Sequence, residues 1–366
     1  MSPTESRNRG KLQYSLLTGV GGIGTGLFFE LEGNHTLGRN ESRPGRLLPV
    51  RDYCKLHIIA HYVAVLLGAG GGRFRVLPIG KVGDDERAEK LRREMQQAGM
   101  DIRYVQTAAG KPTLMGVCFQ YPDGAGGNIM TNESAASLLR VEDVAFAEGE
   151  IADAGKACIA LAAPEVPLAA RLQLLTIAGK HGALRAASLT SAEVEEAFEI
   201  GLFEQVDLLS INEDEAGAIA GPSFDGSSVD ELLDELARKL IDRQHEMKIT
   251  VSFGPRGTYA YEDGSWGFCP AAEVDVAGTA GAGDALLAGL LVGLAWGLEL
   301  TCAGPTRERI ADAPLESALD LAVLLAAFTV TSPHTIHPET DGPALLKFAG
   351  RLGIELSDQI SNVLTA

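Results

Sequence analysis

GTAGAGD, residues 278–284, carries the strongest structural signal in this chain: a glycine turn followed at once by an apolar helical pattern, ALLAG at 285–289. Small residues at 281–283 let backbone N–H groups converge without interference from side chains. At a helix N-terminus, those groups and the helix dipole favour a bound anion. Asp284 would repel that anion unless its carboxylate takes a proton from a hydroxyl that attacks phosphorus. A plain helix cap is the alternative, because Asp is common there, and the pattern alone supports both interpretations equally.

The composition permits a large core and disfavours polyanionic partners. The chain has 366 residues, of which 46% are hydrophobic, and its formal net charge is −18. This length fits one large α/β domain or two smaller ones. Nucleic acids and acidic membranes bind basic surfaces, so we expect neither as a partner.

The cysteines and the N-terminus indicate a cytoplasmic protein. Five scattered cysteines lack CxxC spacing, which predicts reduced thiols and no zinc site. Residues 1–11 are polar and are expected to form a disordered tail rather than a signal peptide. No apolar run approaches the roughly 18 residues of a membrane span.

A second glycine-rich stretch, GVGGIGTG at 19–26, follows a strand predicted at 12–17. It contains GxGxxG at Gly19, Gly21 and Gly24, a pattern typical of dinucleotide sites when it opens a helix and an acidic residue follows about 20 positions later. Here the next residues, LFFEL at 27–31, predict another strand. A glycine-rich strand end or hairpin is therefore favoured over a dinucleotide site.

The rest of the chain predicts one main α/β domain over residues 12–366 with a small β flap. Residues 27–50 are polar and rich in turns, and strands predicted at 102–105 and 113–120, with a return at 129–130, extend this part. From about residue 150, strands and helices alternate, which predicts a mostly parallel sheet covered on both faces. Ligands of such a sheet lie beyond the C-terminal ends of its strands.

Two predicted strand ends carry candidate ligand groups. Asn212 and Glu215 follow the strand predicted at 206–211 and would share one face of a first helical turn. An amide and a carboxylate there could hold Mg²⁺ bound to nucleotide phosphates, although Asn followed three residues later by Glu also has the form of a capping box. A second strand end, VSFGPRG at 251–257, could form a wall of a nucleotide pocket or an ordinary turn.

Together these elements resemble the PfkB, or ribokinase-like, family of carbohydrate kinases. The family's second signature, DTxGAGD opening a helix, matches residues 278–284 at six of seven positions, counting the free one. Its Asn-x-x-Glu motif matches 212–215, and its strand-end Gly-x-x-Gly matches 254–257. IGKVGDD at 79–85, KPT at 111–113 and the apolar helix at 318–330 are weaker matches. The resemblance extends from about residue 75 to residue 340.

The resemblance implies a ribokinase-like three-layer α/β/α fold with a mostly parallel central sheet and a small β lid, contributed by about 27–50 and 113–130. It implies a kinase that uses ATP and Mg²⁺ to phosphorylate a small-molecule sugar or nucleoside, and a homodimer formed through the lid. The implied roles are as follows: Asp284 is the base; Gly281, Ala282 and Gly283 form the anion hole; Asn212, Ser252, Gly254, Gly257 and Thr279 bind nucleotide; and Glu215 and Asn212 organise the metal.

The departures from the family lie on the acceptor side. The first strand leads into GGIGTG at 21–26, with no carboxylate where relatives place a sugar-binding Asp. YCKLHII at 53–59 lacks the Gly-Gly-x-x-x-Asn of the family's first signature. Gly278 replaces an Asp that often helps to hold a monovalent cation, so activation by such a cation is not expected. Polar groups that could replace the missing acceptor contacts are Asn34, Arg39, Asp52, His57, His61 and Thr113.

Two functional hypotheses follow. In the favoured hypothesis, the chain is an active kinase for an unusual acceptor. In the alternative, it has kept the phosphate-binding half and lost sugar phosphorylation, and acts as a nucleotide-binding regulator or scaffold. A panel of sugars and nucleosides incubated with ATP and Mg²⁺ distinguishes the two.

Overall fold

The structure is a computed structural model that describes residues 12–123, 126–221, 228–302 and 313–365. The predicted tail at 1–11 lies outside the described residues. Among the described helices, none is both long and apolar enough to cross a membrane.

Strands and helices alternate through most of the described chain. The strands are β1 (Leu16–Val20), β2 (Gly24–Leu31), β3 (Gly45–Tyr53), β4 (Arg75–Val82), β5 (Val105–Thr107), β6 (Leu114–Gln120), β7 (Gly126–Met130), β8 (Cys158–Ala162), β9 (Leu184–Ala187), β10 (Leu208–Asn212), β11 (Lys248–Ser252), β12 (Thr258–Glu262) and β13 (Ser265–Cys269). The helices are α1 (Lys55–Leu66), α2 (Glu86–Gln97), α3 (Val141–Ala145), α4 (Glu148–Ala154), α5 (Leu168–Lys180), α6 (Val194–Glu199), α7 (Glu213–Ala220), α8 (Val229–Ile241), α9 (Ala282–Ala295), α10 (Ala318–Val330), α11 (Gly342–Arg351) and α12 (Asp358–Thr365).

Nine strands form the central sheet in the order β13-β12-β11-β10-β9-β8-β1-β4-β5. The pairs from β11 to β5 are parallel, and only the edge hairpin β12–β13 and its pairing with β11 are antiparallel. The chain extends the sheet from β1 towards β5 and later continues on the other side of β1 from β8. The strand order therefore reverses between β1 and β8, the type of position where open α/β sheets bind ligands.

Alternation along the strands sends side chains into two separate cores, so the architecture has three layers. In β1, Leu17 packs with the helices α1, α2 and α9–α12, whereas its neighbour Leu16 packs with α3–α5 on the opposite face. In β10, Leu208 and Leu209 divide in the same way, with Leu209 facing α5–α8. This period of two is what a strand imposes on a sheet buried on both sides.

A second, four-stranded sheet of order β3-β2-β6-β7 stands apart from the central sheet. Its strands β2 and β3 are inserted between β1 and α1, and β6 and β7 between β5 and α3. The chain passes from the central sheet to this small sheet through Gly21-Gly22-Ile23 and returns at Cys54, where α1 begins.

The sequence predicted most of these elements, but the strand predicted at 12–17 lies at Leu16–Val20. The glycine stretch at 19–26 does end a strand, but it is no hairpin, because β1 and β2 belong to different sheets. It opens no helix either, which agrees with the rejection of a dinucleotide site. The strand predicted at 102–105 lies at Val105–Thr107 instead, where it pairs with the last residues of β4. That pairing is a long-range contact that local pattern does not encode.

Candidate active site

The glycine turn at 278–284 forms the N-terminus of α9. Gly281 is the cap residue, with a φ of 85° in the left-handed region. A Cβ at this position would lie 2.3 Å from the carbonyl oxygen of Thr335, so both the backbone conformation and the space require glycine. Ala282 and Gly283 form the start of the helix, where N–H groups lack intrahelical acceptors. Gly283 is exposed, and a Cβ there would meet nothing within 4 Å.

Asp284 is the third residue of α9 and not its cap, so the capping interpretation of this residue is wrong. Its side chain is buried, and its nearest charged partner is Lys55, whose Nζ lies 3.7 Å from Oδ1. Burial raises the pKa of the Asp284 carboxyl, and the charge of Lys55 opposes that rise. The pKa of Lys55 is raised in turn, chiefly by Asp284.

Lys55 and Glu165 are site residues that the sequence analysis missed. Lys55 is the first residue of α1, and its backbone N–H donates to Oε2 of Glu165 at 3.0 Å. Glu165 lies shortly after the end of β8 and has a φ of 76°, a strained value for a residue other than glycine. Burial raises its pKa to about 7 against the opposing charge of Lys55. Glu165 could have been identified from the sequence by its position after a strand end, because such strand ends face the ligand crevice.

The glycine-rich stretch at 21–26 contains no carboxylate, but two carboxylates from other segments lie against its glycines. A Cβ on Gly22 would lie 2.3 Å from Oε2 of Glu165, and a Cβ on Gly26 would lie 1.8 Å from Oδ2 of Asp52. Asp52 stands near the end of β3, where burial and the charge of Asp284 raise its pKa to about 6. The space beside this glycine-rich stretch is therefore acidic, although its carboxylates come from other parts of the chain than the first strand.

Asn212 and Glu215 match the capping interpretation, and their role in holding Mg²⁺ stays a prediction. They form a capping box at the start of α7: Oδ1 of Asn212 accepts from the Glu215 N–H, and Oε2 of Glu215 accepts from the Asn212 N–H, each at 2.9 Å. They also line the same cleft as Lys55, Gly283 and Asp284. Burial raises the pKa of Glu215.

The neighbouring strand end lies beside this pair. Ser252, the last residue of β11, is in register with Asn212 and lines the cleft. Gly254 and Gly257 bound the turn that follows, with φ values of 57° and 108°. Thr279 is exposed in the turn before α9. The structure thus brings Asn212 and Ser252 together at one edge of the sheet, with the turn from Gly254 to Gly257 following in the chain.

Ser188 is a further cleft residue without a counterpart in the sequence analysis. Its hydroxyl is buried and has no hydrogen-bond partner among the described residues, and it lines the cleft next to Ser210 and Asn212. Its carbonyl oxygen accepts from the buried guanidinium of Arg171, which also pairs with Glu193 at 2.9 Å. Arg171 therefore fixes the loop that places Ser188.

Three of the residues predicted to contact the acceptor do not line the cleft that contains Lys55 and Asp284. Asn34 is exposed in the β2–β3 connection, where its Oδ1 accepts from the backbone of Asp123. Thr113 is buried, and its hydroxyl donates to Asp85 at 2.6 Å and accepts from Gly83 N–H. His57 is 1% exposed on the packed face of α1. Of the other two polar groups, Arg39 is exposed and His61 is largely buried on α1.

The donor set of the cleft suits a nucleotide phosphate and a magnesium ion. At the start of α9, the Ala282 N–H donates to the Thr279 carbonyl at 3.3 Å, and a Cβ on Gly283 would meet nothing within 4 Å, so the approach of a phosphate oxygen to the helix N-terminus is open there. Glu215 offers its second carboxylate oxygen, and the unpartnered hydroxyl of Ser188 suits a metal-bound water. Mg²⁺ takes oxygen ligands and keeps several waters, so few protein ligands are needed.

Comparison with known proteins gives a consistent result. The family model described as pfkB family carbohydrate kinase matches residues 59–341. Ribokinase from Cryptococcus neoformans var. grubii serotype A in complex with ADP has a TM-score of 0.66 and 22% identity, over 87% of this chain and 94% of that chain. The Burkholderia thailandensis nucleoside kinase in complex with inosine has a TM-score of 0.67 and 17% identity, over 93% and 99%. A candidate ribokinase II from E. coli in complex with ATP and Mg²⁺ has a TM-score of 0.67 and 16% identity, over 92% and 99%. The fold is therefore ribokinase-like.

Proposed function

Because the chain belongs to the pfkB family of carbohydrate kinases, we propose that it transfers the γ-phosphoryl group of ATP to a hydroxyl of a small-molecule sugar or nucleoside. One observation carries the proposal: a buried carboxylate, Asp284, stands in the first turn of a helix, and together with the neighbouring Gly283 it lines a cleft. A carboxylate at a helix start that binds an anion repels that anion. Its presence there is explained if it accepts a proton during the reaction.

In the proposed step, Asp284 accepts the proton of the acceptor hydroxyl while the oxygen forms a bond to the γ-phosphorus. The bond between that phosphorus and the β–γ bridging oxygen breaks, and its electron pair leaves with ADP. The N–H groups of Gly281, Ala282 and Gly283 stabilise the charge on the transferred group. Because these groups are fixed by the turn, they need little reorganisation during the reaction.

We place the nucleotide along the ends of β10 and β11, where Asn212, Ser252, Gly254 and Gly257 lie, with Thr279 at its other side. Glu215 and Asn212 would hold Mg²⁺ directly or through waters. The metal would supply charge neutralisation for the phosphates. Gly278 offers no side-chain ligand, and a Cβ there would lie 3.3 Å from the Cα of Pro333, so the proposal includes no monovalent-cation requirement.

We place the acceptor between the small sheet and the ends of β1 and β8. Asp52 and Glu165 approach this space from two sides, and their carboxylates suit the hydroxyl groups of a sugar ring. Residues 27–50 and 113–130 would act as a lid that excludes water and so limits wasteful hydrolysis of ATP. Asn34, Thr113 and His57 are left out of the acceptor site, because their positions give them other partners or bury them.

The lid also has a face that suits a homodimer. Leu27, Leu47 and Ile129 lie on the face opposite Asp52 and are 40%, 55% and 64% exposed. An apolar patch of this kind on a paired sheet typically marks an interaction surface. Sedimentation velocity of the wild type and of Ile129→Lys tests this: a dimer that becomes a monomer supports it, and a wild-type monomer contradicts it.

The function is tested with a panel of sugars and nucleosides, each incubated with the full chain, ATP and Mg²⁺. We expect a phosphorylated product from one class of acceptor, detected by mass spectrometry, and no product with Asp284→Asn. ATP binding without product from any acceptor would contradict the kinase proposal and favour the regulatory alternative. A nicotinamide cofactor retained by the purified protein would instead revive the dinucleotide hypothesis for residues 19–24.

A further inference from the structure

The charge balance of the cleft leaves a problem that the proposed function does not solve. Asp284 and Glu215 line the cleft, and Asp52 and Glu165 stand close enough to influence the same group of charges. A phosphoryl group brings more negative charge into this space. Among the described residues that line the cleft, Lys55 is the only cation.

Contacts fix the main chain of Lys55 but leave its ammonium group room to move. Its backbone N–H is bound by Glu165, which anchors the start of α1. Its side chain is 34% exposed to the cleft, whereas that of Asp284 is 10% exposed. The separation of 3.7 Å between Nζ and Asp284 exceeds an ordinary hydrogen bond. An ammonium has three donors, so it can approach a second anion while remaining near the first.

We infer that Lys55 is a second catalytic residue of this chain, whose ammonium contacts the γ-phosphoryl group during transfer. The inference rests on the proposed function. Lys55 balances the charge of Asp284 in the empty site and shifts its contact to phosphoryl oxygens when the nucleotide is bound. The same contact offsets the repulsion between the carboxylate and the phosphate, so the base and the anion hole can share one helical turn.

A purely structural role for Lys55 makes a different prediction. If the ammonium only neutralises Asp284 and ties α1 to α9, its loss affects all ligands of the cleft alike. If it contacts the γ-phosphoryl group, its loss weakens the binding of ATP, which has that group, far more than the binding of ADP, which does not.

Several groups interact electrostatically with Asp284. They are Lys55 and Cys54 at the start of α1, Tyr62 later in α1, Asp52 on β3, Glu165 after β8 and Glu215 on α7.

The experiment measures the Kd of ATP and of ADP, each with Mg²⁺, by calorimetry on the full chain. We expect Lys55→Met to weaken ATP by about ten- to a hundredfold, the range of a hydrogen bond to a charged group, and ADP by less than about threefold. Lys55→Arg should restore most of the ATP affinity. Lys248→Met serves as a matched control, because it also removes a lysine from an ion pair, with Glu262, but outside the cleft.

The same comparison in an Asp284→Asn background separates the two roles. With the carboxylate gone, a lysine that only neutralises Asp284 has no further effect on ATP. We expect Lys55→Met to weaken ATP there as well. Equal losses for ATP and ADP, or no loss in the Asp284→Asn background, would overturn the inference and leave the proposed function standing. A wild-type protein that binds neither nucleotide would overturn both.

Discussion

The proposed anion hole uses main-chain groups from one short stretch, whereas the proposed acceptor side uses side chains from two segments that are far apart in the sequence. At the start of α9, the turn from Gly278 to Asp284 supplies the N–H groups and the base together. On the other side, Asp52 comes from β3 and Glu165 from the connection after β8. A phosphate has the same shape in every reaction of this type, but an acceptor differs. Rigid main-chain groups suit the binding of a phosphate, and side chains suit the recognition of a particular acceptor.

Substitution of Gly281, in the proposed anion hole, is expected to have the largest effect. Gly281→Ala forces a left-handed φ on a residue with a Cβ and places that Cβ against the Thr335 carbonyl. We expect a loss of about 2–4 kcal/mol in the free energy of unfolding, from strain and overpacking together, and loss of ATP binding. Gly283→Ala is the control, because its Cβ would enter open space and alanine favours a helix. Denaturant unfolding measures both; equal stability for the two variants would show that the turn is not constrained as described.

A smaller effect is expected on the acceptor side. Asp52→Asn and Glu165→Gln keep the size of each side chain but remove the charge-assisted hydrogen bonds to acceptor hydroxyls. We expect each to raise the KM for the acceptor by about tenfold or more, with the Kd of ATP unchanged. Glu30→Gln, on the exposed surface of the same small sheet where Glu30 pairs with Arg46, should change neither. A loss of ATP affinity equal to the loss for the acceptor would mean that the two sides are not separate.

The proposed metal site gives a more local test on the phosphate side. Glu215→Gln keeps an oxygen that can accept from the Asn212 N–H but removes the charge that Mg²⁺ would bind. We expect the Mg²⁺ concentration for half-maximal activity to rise by about tenfold, a loss near 1.4 kcal/mol. Glu213→Gln, in the same helical turn but paired with Arg256, is the matched control. An unchanged Mg²⁺ titration in Glu215→Gln would remove Glu215 from the site.

Helix α1 gives the mildest test, through its buried histidines. Burial lowers the pKa of His57 to about 3 and that of His61 to about 4. The unfolded chain therefore binds more protons below about pH 6.5, so stability falls as the pH falls. For His57 alone we expect a loss of about 2 kcal/mol between pH 7.5 and pH 5. His57→Leu should unfold with a shallower pH dependence; the same slope as wild type would mean that His57 binds protons equally in the folded and unfolded states.

The same contrast explains what the sequence could predict. The turn at 278–284, the Asn212–Glu215 pair and the end of β11 are contiguous patterns, and each lies at a helix start or a strand end in the structure. The alternation of strands and helices was enough for the fold class. Local pattern also predicted β2, β6 and β7 of the small sheet, because turn-rich segments separate strand-like runs, whereas no strand was predicted at Gly45–Tyr53.

The acceptor carboxylates and Lys55 could not be predicted in this way, because they meet only through tertiary structure. Lys55 precedes Glu165 by 110 residues and Asp284 by far more, yet it contacts both. The absence of a carboxylate at 21–26 was a true statement about the sequence, but the glycines there leave space that Asp52 and Glu165 occupy. Thr113 looked like a lid residue by position, whereas its hydroxyl closes a hydrogen-bonded connection to Asp85.

The central claim is that Asp284 is the base of a phosphoryl transfer, and one comparison tests it most directly. With the acceptor found in the panel, kcat and the Kd of ATP with Mg²⁺ are measured for the wild type and for Asp284→Asn. We predict a fall in kcat of about a thousandfold, as expected for loss of a general base, with the Kd of ATP within about twofold of the wild-type value. Asp284→Asn with full kcat would contradict the claim.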